Sequence, residues 1–180
     1  RTSITRWTTA LPATAVLIAA GAWSAPLAGA LGFALPVHAQ KRDVFVLSSP
    51  ARLPACPLLI DPSGVWLRPE GSLFLAGAPP RDDAAAGTDE LPLEAIDHGL
   101  FDDVIWPALA ARIPAFEALR VHSAWAGYYE MNRFDHNGFA GALPGWRNAF
   151  VACGFSGHGM QHAPAVGRAM AERIARGRFD

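Results

Sequence analysis

The stretch ACGFSGHGMQ, at residues 152–161, decides the fold of this 180-residue chain. The apolar residues 148–153 predict a short buried strand, and residues 159–177 carry apolar side chains at helical spacing and end in arginines and a glycine, a typical helix stop. Glycines between a buried strand and a helix let backbone N–H groups approach a ligand at the positive end of the helix dipole. The spacing alone leaves two interpretations open: a site for an anionic or electron-rich group, and a tight turn that binds nothing.

Composition and charge exclude several classes of protein. Hydrophobic residues make up 51% of the chain and charged residues 17%, which is typical of a globular protein rather than a disordered one. The formal net charge is −1 and no basic run occurs, so nucleic acid is excluded as an expected partner. Cys56 and Cys153 are far apart and form no metal or redox motif, which favours a reducing compartment and a cytoplasmic protein.

The N-terminal stretch has some features of a targeting segment. Arg1 and Arg6 precede an uncharged run at residues 7–37, and Ala39 fits a signal-peptide cleavage position. A run of about 20 apolar residues would also cross a bilayer. Prolines and glycines break this run into pieces, however, which disfavours both interpretations. We expect no membrane span and a chain that does not begin at a natural start, and a secreted domain cleaved after Ala39 stays open as an alternative.

The first half of the chain predicts short strands. Residues 15–21 are typical of a fully buried strand ending in a glycine turn, and residues 26–31 of a short helix. A strand covered on both faces is predicted at residues 40–47. Turn residues then separate three strands of an antiparallel meander, at residues 57–60, 65–68 and 72–76.

The second half returns to helices. A polar loop is predicted at residues 77–90, and helical spacing at residues 91–112 predicts a helix that Pro107 bends or restarts. An aromatic strand follows at residues 120–129. The order of elements predicts a mixed α/β (α+β) fold, with an antiparallel region inserted between parallel-type strands.

Four segments carry a resemblance to a known family. GFSGHG at residues 154–159, followed by APAVG, resembles a C-terminal cofactor loop and helix, and AAGAWS at residues 19–24 a strand-to-helix turn beside the cofactor. DPSGVWLRPEG at residues 61–71 is similar to a substrate-domain hairpin, and WAGYYE at residues 125–130 to a strand bordering the cofactor. Taken in chain order, the four segments resemble the D-amino-acid-oxidase-like superfamily of FAD-dependent oxidoreductases, nearest to sarcosine and dimethylglycine oxidases and dehydrogenases and to the FAD-dependent oxidoreductase domain proteins.

The resemblance implies part of a two-domain FAD oxidoreductase. Residues 1–36 would belong to the FAD domain, residues 37–130 to an antiparallel substrate domain that includes the helix at 91–112, and residues 131–180 to the FAD domain again, with its late strand and C-terminal helix. The family's Gly-x-Gly-x-x-Gly fingerprint, which holds the FAD pyrophosphate, does not occur in the chain. The missing N-terminal FAD-binding segment, or a partner subunit that supplies it, is therefore an expected partner, and poor solubility of the chain alone is expected.

The resemblance also implies a cofactor and a set of site residues. The cofactor would be FAD, held noncovalently because no cysteine lies near Gly127, where some members attach it. The substrate side would use Arg68 and one of Tyr128 and Tyr129, because adjacent strand residues face opposite ways. The flavin side would use Ala20, Gly21, Ala22, Trp23, Gly154, Phe155, Ser156, Gly157, His158, Gly159, Met160 and Gln161.

The implied function is oxidation of the C–N bond of an amine or amino acid by hydride transfer to the flavin. Gln161 lies where some sarcosine oxidases have a lysine that activates oxygen, which favours a dehydrogenase. A non-catalytic assembly or binding protein of the same fold stays open as an alternative.

Other chemistry-bearing residues are given structural roles. His158 and His162 lie four residues apart but lack a third metal ligand, so no metal site is predicted. Trp106 and Trp125 are predicted to lie in the core, and Cys56 and Cys153 to be buried free thiols.

Overall fold

The computed structural model describes residues 12–51, 53, 55–81 and 92–179. In this part of the chain the strands form a three-stranded sheet, ordered β1-β8-β7, and a five-stranded sheet, ordered β3-β4-β5-β2-β6. The strands are β1 Val16–Ile18, β2 Val37–Ser48, β3 Leu59–Ile60, β4 Trp66–Glu70, β5 Leu73–Gly77, β6 Arg120–Asn132, β7 Phe139–Ala142 and β8 Ala149–Cys153. The helices are α1 Ser24–Gly29, α2 His98–Leu100, α3 Trp106–Arg112 and α4 Gly159–Arg176. The mixed α/β class is confirmed.

The three-stranded sheet joins the two ends of the chain. β1 runs parallel to β8, and β7 pairs with β8 in the antiparallel sense. The prediction that β1 is fully buried is wrong, because Val16 is 48% exposed and Leu17 41% exposed while Ile18 is buried. β1 is an edge strand, and a parallel edge with apolar side chains on its surface is unusual, since parallel sheets are normally covered on both faces.

The five-stranded sheet contains the predicted meander. β3, β4 and β5 are antiparallel neighbours, and β2 pairs with β6 from Val37 and Asn132 to Ser48 and Arg120. Val44 and Phe45 point to opposite faces of β2 and are both buried, which agrees with a strand covered on both sides. The pair β2–β6 is longer than predicted and brings the C-terminal end of β6 to the three-stranded sheet.

A helical layer covers one face of this sheet. It comprises α2, a π-helical turn at Phe101–Ile105, α3 and a 3₁₀ helix at Pro114–Ala118. The buried side chains of this layer include Leu100, Ile105, Leu109 and Phe116. They pack on Phe45 of β2, Leu67 of β4 and Phe74 of β5. Hydrophobic burial at this layer is the main stabilising contribution to this half of the molecule.

The helix predicted at residues 91–112 begins later than predicted. Residue 91 lies outside the described residues, and the helical run starts at His98 because the Asp97 N–H donates instead to Asp43 Oδ2, at 2.9 Å. The predicted disturbance at Pro107 is present: the Trp106 N–H donates to the Phe101 carbonyl, a π-type bond, just before the proline that has no N–H.

The predictions that Trp106 and Trp125 lie in the core are wrong, and the prediction that both cysteines are buried is half right. Trp125 is 52% exposed and Trp106 is also exposed. Trp125 lies on the face of β6 opposite the helical layer, and the Trp106 indole N–H donates to the Glu117 carbonyl. Both cysteines are free thiols, but only Cys153 is buried while Cys56 is half-buried.

Cleavage after Ala39 is inconsistent with this fold. Ala39 is buried near the start of β2 and pairs with Glu130 of β6, so the bond after it lies inside a paired strand. Most of the predicted loop at residues 77–90 lies outside the described residues. Among the described helices, none combines the length and apolarity that a membrane crossing needs.

Candidate functional site

The predicted flavin loop, residues 154–158, joins β8 to α4. Gly154, Ser156 and Gly157 have φ angles of +78°, +51° and +95°, which a serine rarely adopts. His158 is the N-cap of the 18-residue helix α4, and its side chain makes no capping hydrogen bond. The first-turn N–H groups of Gly159, Met160 and Gln161 therefore lie at the positive end of the helix dipole with no partner inside the helix.

Ser156 attaches this loop to the free edge of β6. The Ser156 N–H donates to the Glu130 carbonyl at 3.1 Å, and the Asn132 N–H donates to Ser156 Oγ at 3.0 Å. The hydroxyl itself donates to the Gly154 carbonyl at 3.1 Å. β6 is the outer strand of its sheet, so the loop satisfies edge groups that would otherwise need water or another strand.

Two glycines allow aromatic rings to pack closely around the loop. A methyl group on Gly157 would lie 2.9 Å from Cε2 of Tyr129, and one on Gly138 would lie 2.2 Å from the Phe155 ring. The rings of Tyr129 and Phe155 therefore fill space that only glycine leaves open.

The turn at residues 20–23 forms the opposite wall. Gly21 has φ +55°, and the Ala20 N–H donates to Ser24 Oγ at 3.1 Å. Ala22 is buried, whereas Trp23 is 62% exposed and meets the Tyr128 ring edge to face at 6.1 Å. The predicted cofactor residues of both segments thus lie on either side of the end of β6.

A cavity of about 340 Å³ lies between these walls. Its lining includes Gly21 from the first wall, Phe155 and Gly159 from the second, and Glu130 from β6. Met160, which precedes the exposed Gln161 on α4, is 89% exposed. Val16, Leu17 and Trp23 are also exposed large apolar side chains of the two segments next to this cavity.

Tyr128 and Tyr129 point to opposite faces of β6, as predicted for neighbours on a strand. Tyr128 faces Trp23, and Tyr129 faces Gly157 and the Arg42 guanidinium, which lies 5.4 Å from the centre of the Tyr129 ring.

Arg42 and Gln40 are site residues that sequence reasoning missed. Gln40 lies directly opposite Tyr129 in the β2–β6 register, and Arg42 lies two residues along on the same face. The buried Oε1 of Gln40 has no hydrogen-bond partner among the described residues. An antiparallel register is needed to find this pair, and no local signal in the sequence supplies it.

The structure does not bring Arg68 to the loop. Arg68 is exposed on the β4–β5 hairpin and forms an ion pair with Glu70. The register places Arg68 level with Ser123, three strands across the sheet and six residues along from Tyr129. Those steps correspond to about 14 Å across and about 20 Å along the sheet. The substrate role of Arg68 stays a prediction without support from this geometry.

Three further chemistry-bearing groups lie at or near this loop: the thiol of Cys153 and the rings of His158 and His162. Burial raises the pKa of Cys153 to about 11, and the negative charge of Glu130 adds to this increase while a hydrogen bond from Ser24 opposes it. The His158 and His162 rings lie 6.2 Å apart. Within the described ranges no group of three or more His, Cys, Asp or Glu residues is placed to hold a metal ion.

Known proteins are similar to this chain in sequence. Residues 2–173 match the family model described as DAO, FAD dependent oxidoreductase. The FAD-dependent oxidoreductase domain-containing protein 1 of Xenopus laevis is 44% identical to this chain over 178 residues, which cover 91% of it. The FAD-dependent oxidoreductase domain-containing protein 1 homolog of Drosophila melanogaster is 38% identical over 156 residues, which cover 84%. The chain spans 35% of the length of the Xenopus protein and 29% of the Drosophila protein.

Solved structures agree with the fold. Glycine oxidase from Geobacillus kaustophilus is 25% identical with a TM-score of 0.76, over 92% of this chain and 43% of that one. L-proline dehydrogenase from P. horikoshii is 24% identical with a TM-score of 0.79, and the match covers 92% of this chain and 44% of the dehydrogenase chain. The chain therefore belongs to the DAO family of FAD-dependent oxidoreductases.

Proposed function

We propose that this chain forms the substrate sheet and the flavin loop of an enzyme that oxidises the C–N bond of an amine or amino acid, with FAD bound noncovalently. The observation that carries the proposal is the uncapped N-terminus of α4, which Ser156 holds against β6 beside Tyr129. The resemblance to sarcosine and dimethylglycine oxidases and dehydrogenases adds the substrate class. Glycine oxidase and L-proline dehydrogenase, two structural neighbours, are named for amino acids.

The residues present fit a flavin. The first-turn N–H groups of α4 suit the electron-rich pyrimidine edge of the ring system, and the walls of the cavity are mostly apolar. Cys153 is fully buried, and Cys56 packs against the core between the helical layer and the five-stranded sheet. The positions of both thiols support noncovalent attachment of the flavin. When bound, the flavin supplies the two-electron acceptor for a hydride from the carbon beside the amine.

The substrate side is built from Tyr129, Arg42 and Gln40 in this proposal. Arg42 offers a planar cation that suits a carboxylate, although its Nη1 also donates to the Ala78 carbonyl at 3.4 Å. Gln40 offers a buried acceptor that a substrate N–H would satisfy. A cation and an acceptor on one face favour an amino acid over a simple amine.

The ADP half of FAD needs a dinucleotide-binding segment that the 180 residues do not contain. We propose that the exposed apolar side chains of β1 and the turn at residues 20–23 meet that segment, in the same polypeptide or in a partner subunit. A reducing, cytoplasmic location is also proposed, supported by the two free thiols.

The test is a flavin absorbance spectrum of the purified chain, with added FAD and with a co-expressed partner that carries the dinucleotide-binding segment. Bound flavin that bleaches anaerobically with sarcosine, dimethylglycine, glycine, proline or a D-amino acid would support the proposal and identify the substrate. Bleaching that persists in air would favour a dehydrogenase, as the side chain of Gln161 predicts. No bound flavin under any condition would contradict the proposal and favour a non-catalytic assembly or binding protein.

A further inference from the structure

The side chain of Glu130 lines the cavity between the two walls. Among the described residues that line it, Glu130 is the one ionisable side chain. The other lining residues are glycine, alanine or larger apolar residues, such as Leu17 and Met170. A carboxylate in such surroundings acts more strongly on its neighbours than it would in water.

The carboxylate of Glu130 is hydrogen-bonded to the loop wall and lies close to the turn at residues 20–23. Its Oε1 accepts the Phe155 N–H at 3.3 Å. A methyl group on Gly159 would lie 3.6 Å from Oε1, and one on Gly21 would lie 3.9 Å from Oε2. The side chain therefore spans the gap between the turn at residues 20–23 and the first residue of α4.

Within the described residues Glu130 has no ion-pair partner, since no salt bridge joins it to a lysine, arginine or histidine there. Its field reaches the neighbouring thiol, because Glu130 contributes to the raised pKa of Cys153. The carboxylate thus adds negative charge beside the positive end of the α4 dipole.

We propose that Glu130 is a positioning residue that ties the flavin loop to β6 and makes a bound flavin harder to reduce. The inference rests on the proposed function. Transfer of a hydride would break the C–H bond beside the neutral amine, leave an iminium cation that loses its N–H proton to solvent to give the imine, and add two electrons and one proton to the flavin, which would then carry one more negative charge. A carboxylate in the wall of the cavity would oppose that charge by Coulomb repulsion, so the reduced cofactor would pass its electrons on more readily.

Three substitutions separate the charge from the tether. Glu130→Gln keeps the shape and an oxygen that accepts the Phe155 N–H but removes the charge. Glu130→Asp keeps the charge on a shorter side chain, and Glu130→Ala removes both. The matched control is Glu172→Gln, which removes a carboxylate that pairs with Arg168 farther along α4.

The measurements are the midpoint potential of bound FAD and its dissociation constant, made on the complete protein with its flavin. We expect Glu130→Gln to shift the reduction equilibrium about tenfold toward the reduced form, which is about 30 mV for a two-electron couple. Glu130→Asp and Glu172→Gln should keep the wild-type potential. Glu130→Ala should raise the potential and also weaken FAD binding.

The outcomes distinguish the two proposals. Wild-type protein that binds FAD while Glu130→Gln keeps the wild-type potential would overturn the role of Glu130 and leave the proposed function standing. If Glu130→Gln does not fold, a potential that rises in Glu130→Asp as much as in Glu130→Ala would likewise overturn it. Wild-type protein that binds no FAD would overturn both.

Discussion

Replacing Gly157 with alanine tests how the loop is held against β6. Gly157 has φ +95°, and a methyl group there would lie 2.9 Å from Cε2 and 3.4 Å from Cδ2 of Tyr129. The positive φ costs a residue with a Cβ about 1–2 kcal/mol, and forcing a methyl group against a packed ring costs about 1–3 kcal/mol. We expect Gly157→Ala to lower the free energy of unfolding by about 2–5 kcal/mol.

The chain offers a matched control for the backbone contribution. Gly145 has φ +82°, and a methyl group there would have no heavy atom within 4 Å apart from its chain neighbours. Gly145→Ala should therefore lower the free energy of unfolding by only about 1–2 kcal/mol. The difference between the two substitutions measures the collision with Tyr129.

The assay is urea unfolding of these variants with and without Tyr129→Ala. Removing the ring opens the space beside Gly157, so the cost of Gly157→Ala should fall to that of Gly145→Ala, with a coupling of about 1–3 kcal/mol between positions 157 and 129. An equal cost of Gly157→Ala in both backgrounds would refute the close packing of loop and strand.

Two further predictions concern the ionisable groups. Hydrogen bonds from the Ser63 N–H, the larger cause, and from Arg112 lower the pKa of Asp61 from 3.8 to about 2. Because the pKa is lower in the folded state than in the unfolded state, the Asp61 carboxylate stabilises the folded protein above about pH 4. This stabilisation is lost as the pH falls toward 2. Acid unfolding followed by circular dichroism should show this loss in the wild type and a flatter profile in Asp61→Asn, and identical profiles would contradict it. The pKa of Cys153 is raised from 9.0 to about 11, so its thiolate fraction at pH 8 is about 100-fold below that of an ordinary thiol. A thiol reagent should modify Cys56 first, and Cys56→Ser should need denaturant to react; fast labelling of native Cys56→Ser would show that Cys153 is accessible.

Local patterns in the sequence were sufficient for most elements. The meander, the glycine-rich loop at residues 154–158 and α4 could be predicted because turn residues, alternation and helix stops are patterns of a few neighbouring residues. The missed β7 consists of Phe139, Ala140, Gly141 and Ala142, whose small residues carry no alternation, and it forms because β8 offers a pairing edge. The π-helical turn before Pro107 required knowledge of the layer against which it packs.

Exposure followed from tertiary position rather than residue type. Trp125 has the same apolar character as core residues of the chain but lies on the face of β6 away from the helical layer. Val16 and Leu17 of the outer strand β1 are exposed, whereas Ile18 of the same strand is buried. Composition cannot reveal which face of a strand is covered, since that depends on what packs on the sheet.

The sequence by itself indicated the family, because four segments carry its resemblance, and it located the glycine loop, because glycine spacing between a buried strand and a helix is a local requirement. Only the tertiary structure decided which side chains meet that loop. The long β2–β6 register places Tyr129, Arg42 and Gln40 on one face and Glu130 on the other, and leaves Arg68 far away on its hairpin. Pairing between strands nearly ninety residues apart sets these contacts, and a register shift of one residue would reverse every face.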